Sequence, residues 1–221
     1  MADKDVLVMR KGEADDIPNL IDTIVAAEKS GTDKFSYSNI FEMPETEVRK
    51  IFAAILAEDV QGQELCYSDY LVGEVNGKFA GAVAAWIEGE SGQESSVRKA
   101  MLLNYFFPDT NMQKALEKRK FLDQIHFDPD IGTLVIDIGL TLPEFRGQGI
   151  LANLMQEQTR LHLERRPDVK ISQIHIMKNN AVAYHIYSKL GYYTIREKTC
   201  PDPVILQWLP SDTQVVMEKK L

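Results

Sequence analysis

From Ile136 to Met155 the chain reads IDIGLTLPEFRGQGILANLM, an apolar strand that passes through an Arg-Gly-Gln-Gly turn straight into an amphipathic helix. Glycines at 147 and 149 let the backbone come close to a ligand. The first amides of a helix have no partner within it, so here they face whatever anion docks at the turn. The segment reads as a cradle for a diphosphate, and a nucleotide-type cofactor is its natural guest.

Two cofactor classes use a strand, turn and helix of this kind. Gly147, Gly149 and Ala152 satisfy the G-x-G-x-x-G/A pattern of dinucleotide-binding folds. That pattern also needs its glycines directly after the strand, and an acid about 20 residues on for a ribose hydroxyl. Both requirements fail: Pro143 to Arg146 intervene, and the next strand ends in Lys178, Asn179 and Asn180 rather than a carboxylate. An oxidoreductase is the weaker reading.

Read as R-x-x-G-x-[G/A], the segment Arg146 to Leu151 resembles the acyl-CoA motif of the GNAT superfamily of N-acetyltransferases. Downstream, NNAVAYHIYSKLGYY carries Asn180, Ala183, Tyr187, Lys189, Leu190, Gly191 and Tyr192, and is similar to that family's N-x-x-A-x-x-x-Y-x-K-L-G-[FY] helix and exit. The resemblance covers Thr133 to Lys198 closely and the rest by topology. It implies an α/β (α+β) fold with a mixed, mostly antiparallel central sheet flanked by helices. It further implies direct transfer of an acetyl group from acetyl-CoA to a small-molecule or peptide amine in a ternary complex. The implied coenzyme contacts are Leu140, Thr141 and Leu142 on the strand; Arg146, Gly147, Gln148, Gly149, Ile150 and Leu151 at the turn; and Asn180, Ala183 and Tyr187 on the later helix. Leu151 departs from the motif, which has Gly or Ala there; the leucine is expected to turn toward the core while its amide still faces the phosphates.

The formal net charge of -8 argues against a nucleic-acid partner, because such a surface repels phosphate backbones. It serves solubility first, and also suits a cationic acceptor. Cys66 and Cys200 stand alone, without the spacing of a metal site or a disulfide framework. No apolar run near the N-terminus has the form of a leader, and none elsewhere has the length of a membrane span. A cytoplasmic protein with reduced thiols, no metal and no membrane partner is expected.

Periodicity predicts a strand at Val6–Arg10, then a helix capped by Asp16 with Ile17, Leu20, Ile21, Ile24 and Val25 on one face. Pro44 opens a second helix. YLVGEV and KFAGAVAAWIE flank Asn76-Gly77, a strong hairpin signal. Thr133 to Leu142, Ile171 to Met177, Tyr192 to Thr199 and Gln214 to Lys219 read as strands, Ile150 to Arg165 as a helix, and Asn180 as the cap of another. DPVILQWLPSD is read as extending one of the closing strands. The whole, 1–221, reads as one acyltransferase domain with a helical insertion at 91–130, which serves either as a substrate lid or as a homodimer contact.

For the chemistry, the resemblance places the general acid at Tyr187 and, on the splayed strand, the amide of Leu140 at the thioester oxygen. A phenol stays protonated at neutral pH and can still give its proton to a forming thiolate. Asn180 is both helix cap and coenzyme contact. Asp137 is the carboxylate nearest the cleft and the candidate base, although strand alternation is expected to turn it to the other side. His126 and His175 titrate in a useful range, but a histidine in a half-buried strand is more often structural; His162 and His185 read as solvent-facing. Arg146 pairs with a phosphate or braces the turn through Glu144.

Overall fold

The computed structural model describes residues 6–221; residues 1–5, which begin the N-terminal stretch without a leader-like apolar run, lie outside them. Strands β1 (Leu7–Lys11), β2 (Tyr70–Val75), β3 (Lys78–Ile87), β4 (Leu134–Thr141), β5 (Ile171–Met177), β6 (Tyr193–Thr199) and β7 (Thr213–Lys220) form one sheet in the order β1-β2-β3-β4-β5-β7-β6. Every pairing is antiparallel except β4 with β5. The β2–β3 hairpin turns through Asn76 (φ 52°) and Gly77 (φ 72°), the two left-handed residues that a type I′ turn requires.

Alternate side chains of β3 feed two cores. Ala82, Ala84 and Trp86 pack with helices α1 (Ile17–Glu28), α2 (Ser36–Phe41) and α3 (Glu45–Ala57) on one face. Val83, Ala85 and Ile87 pack with α6 (Ile150–Arg165) and α7 (Ala181–Lys189) on the other. The insertion folds as α4 (Ser95–Phe106) and α5 (Asp109–Leu122), with α4 against α3 and α5 against α2. Lys118 of α5 is buried and donates to the Ile40 carbonyl and to Glu42 Oε1, both at 2.9 Å, which satisfies its charge.

Two expectations are corrected, and one element that the sequence reading lacked is added. The segment after β6 extends neither strand: Pro203–Gln207 is a 3-10 turn, opened by Asp202 accepting from the Val204 amide at 3.0 Å, because Pro203 and Pro210 withhold ladder donors. α2 escaped periodicity because it is too short to show any, yet Tyr37 and Phe41 are buried in ring contact with Phe52 and Phe107. Asp16 begins α1 without a side-chain cap; its carboxylate takes Arg10 at 2.7 and 2.8 Å and the Glu13 amide at 2.8 Å.

Two irregularities of β4 open the sheet. Gly139 lies opposite Val83 and Asp137 opposite Ala84, so Ile138 is an extra, bulged residue, with φ at 44°. β4 pairs with β5 only at Leu134↔Ser172 and Val135↔Gln173; beyond Val135 the two strands part.

Candidate active site

Where β4 and β5 part, a cavity of about 950 Å³ runs through the sheet, a size suited to a substantial ligand. One end is built for anions. Gly147 (φ 79°) and Gly149 (φ 74°) take left-handed turns, and a Cβ built on either meets nothing within 4 Å. The first intrachain bond at the start of α6 is Asn153 N to Gly149 O, at 3.0 Å, so the preceding helical amides are left for a ligand. Arg146 lines this end and makes no ion pair among the described residues, so the Glu144 brace is not formed. Lys189, Asn180 and Ala183 line the cavity from α7, with Asn180 Oδ1 accepting from Ala183 N at 3.1 Å as a helix cap.

Of the turn and strand residues, Leu140, Thr141, Gly147, Gly149, Ile150 and Leu151 line the cavity, whereas Gln148 and Leu142 do not. The Leu142 amide donates to Ala80 O at 2.9 Å, and Leu140 lies opposite Ala82. Backbone groups alternate sides along a strand, so the amides of both leucines point to β3 and those of Gly139 and Thr141 point into the gap. This corrects the expected thioester contact at Leu140 and the free amide at Leu142. Leu151 packs with the α6 core and lies over Gly139: its Cδ1 is 2.8 Å from where a Cβ on Gly139 would stand. The glycine makes room for the leucine, which leaves the groove open.

Tyr187 is buried and lines the cavity, and burial followed by the nearby Asp137 charge raises its pKa above the ordinary phenol value. Its hydroxyl has no hydrogen-bond partner among the described residues.

The other end is acidic. The bulge at Ile138 puts Asp137 and Ile138 on the same face, and Asp137 lines the cavity; the expectation that it turns away is corrected. Burial, then the charge of Glu64, pushes the Asp137 carboxyl up to about 7. Burial likewise pushes Glu28, at the end of α1, up to about 7. Glu64 Oε1 accepts from Lys99 Nζ of α4 at 2.7 Å and from Tyr37 Oη at 3.3 Å. Trp86 lines the wall, its Nε1 held by Glu88 Oε2 at 2.9 Å; Glu88 Oε1 also accepts from the Ser95 amide at 2.7 Å and so ties α4 to β3. His126 and His175 line this end too. Burial lowers His175 to about 4, leaving it neutral at pH 7. Of the helical histidines, His185 is exposed and His162 half-buried, with its Nδ1 at 2.9 Å from Gln158 O.

Glu28, Glu64, Lys99 and Trp86 were not singled out from sequence. Among the described residues no group of His, Cys, Asp and Glu side chains is arranged to hold a metal ion, and no helix is long and apolar enough to cross a membrane.

No protein-family model and no curated protein matches the chain. Solved structures do. An N-acetyltransferase from Staphylococcus aureus Mu50 superposes with a TM-score of 0.67 at 15% identity, over 96% of this chain and 100% of that one. The Drosophila melanogaster polyamine N-acetyltransferase matches with a TM-score of 0.57 at 13% identity, over 98% and 100%. The ribosomal-protein-alanine N-acetyltransferase of Brucella melitensis matches with a TM-score of 0.55 at 16% identity, over 97% and 99%. The chain has the fold of the GNAT-type N-acetyltransferases.

Proposed function

We propose that the protein is one acyltransferase domain that moves the acetyl group of acetyl-CoA to an amine by direct attack in a ternary complex. The observation that carries the reading is the lining of a single cavity: an anion cradle at the start of α6, carboxylates without ion pairs among the described residues at Glu28 and Asp137, and Tyr187, which feels the Asp137 charge. The residues fit the donor. The amides opening α6 and the Arg146 guanidinium suit its diphosphate, and the gap beside Gly139 and Thr141 admits an extended pantetheine as a strand-like partner.

Asp137 takes the proton of the attacking amine, and its raised pKa suits a base working near neutral pH. The Gly139 and Thr141 amides polarise the thioester carbonyl, the role that the family resemblance implies for Leu140. Tyr187 gives its phenolic proton to the leaving sulfur as the carbon–nitrogen bond forms and the carbon–sulfur bond breaks. No covalent bond to the protein is made. The two free, buried cysteines fit a reducing compartment, and we place the reaction in the cytoplasm.

The test is thiol release from acetyl-CoA over a panel of amines, with native protein and Tyr187→Phe. The reading expects kcat to fall on the order of 100-fold in the variant with acetyl-CoA affinity unchanged. Donor binding without turnover on any amine would leave a binding module instead.

A further inference from the structure

The acetyltransferase reading, on which this inference rests, leaves one carboxylate over. Of the three acids at the acceptor end, Glu64 is matched by Lys99 at 2.7 Å. Neither Glu28 nor Asp137 makes an ion pair among the described residues. Asp137 has only the Ile138 amide, at 2.8 Å on Oδ1. One acid suffices as base. A second carboxylate without an ion pair in a lined cavity is relieved either by a proton or by a cation that the occupant brings to it.

A second feature of the same wall points to a polar guest. His175 Nε2 is sealed from solvent and has no hydrogen-bond partner. The ring lines the same cavity, on β5 across the gap from Asp137. A buried ring nitrogen without a partner calls for one, and a water or a ligand atom entering beside the ring supplies it. Beside these groups Trp86 also lines the cavity, its indole nitrogen held by Glu88, and an aromatic wall of this kind suits a cation. Lys99 is paired with Glu64 at 2.7 Å and its charge also reaches Glu28 and Asp137, so this one cation faces three acids and is not left over for a carboxylate on the acceptor.

We propose that the acceptor is a short aliphatic diamine, its reacting primary amine at Asp137 and its second nitrogen held as a cation by Glu28. A monoamine fills one of these places, and an amino acid brings a carboxylate into an acidic pocket.

The experiment is calorimetric titration of the CoA-loaded protein with 1,4-diaminobutane, n-butylamine and 4-aminobutanoate. The diamine is expected to bind on the order of tenfold tighter than butylamine, and 4-aminobutanoate weakest. In Glu28→Gln the diamine advantage shrinks toward one, and Glu28→Asp restores part of it. Equal affinity for diamine and monoamine in native protein, or an advantage that survives Glu28→Gln, overturns the inference. The native-protein comparison decides it even where a variant does not fold. Titration of CoA alone separates the two levels: absence of CoA binding overturns the acetyltransferase reading, whereas CoA binding with no diamine preference overturns this inference only.

Discussion

At Asp137 a carboxylate is held at a pKa of about 7 because a bulge turns it into a cavity where burial and the Glu64 charge both oppose ionisation. As the proposed base it must be deprotonated, so kcat/KM should rise with pH up to about 7 and level off above. The falling limb should lie beyond the ordinary phenol range, since Tyr187 is raised. The check is a pH profile compared with that of Asp137→Asn: the variant should lose on the order of 100-fold in kcat together with the Asp137 limb. The same shift affects stability. Between the unfolded carboxylate value of 3.8 and about 7 the folded chain holds more protons than the unfolded one, so stability falls as pH rises across that window. Asp137→Asn keeps the acceptor for the Ile138 amide and removes the charge. It should therefore melt several degrees higher than native protein at pH 8 and equally at pH 4, by calorimetry.

The elements around the site were legible to different degrees, for physical reasons. α6 and β5 lie at the bounds read from sequence, Ile150–Arg165 and Ile171–Met177, because a glycine turn opens the one and an apolar run between polar segments makes up the other. Two of the missed residues carried a usable signal. Glu28 follows Ile24 by four and Ile21 by seven, and Lys99 precedes Leu102 by three and Leu103 by four. Both are charges on the inward face of an amphipathic helix, where only a partner or a ligand makes them tolerable. Glu64 lies in an irregular stretch and gave none. The bulge was invisible, since a single inserted residue leaves no trace in a two-residue alternation, and it alone reversed the reading of Asp137. The fit of β4 to α6 depends on Gly139 under Leu151. Gly139→Ala should cost about 1–3 kcal/mol through overpacking, and adding Leu151→Ala should recover most of it in chemical denaturation.

Across the whole molecule, the order of strands and helices, α2 apart, could be read from hydrophobic period and turn chemistry, and both segments that carry the coenzyme resemblance lie on the cavity wall. The acceptor end could not be read, because it is assembled from α1, α4, β3, β4 and β5 by long-range packing. The sheet is weakest where it splits, and a coenzyme lying along that split would bridge β4, α6 and α7. Saturation at about 100 times its dissociation constant should stabilise the fold by about 2.7 kcal/mol, a rise in melting temperature of about 5–10 °C. The most direct measurement of the central claim is an amide NMR titration with coenzyme A. The largest shifts should fall on Gly147, Gly149, Ile150 and Leu151, with Gly139 and Thr141 next in size. Saturable shifts confined to other segments, or no shifts at millimolar coenzyme, would contradict the account.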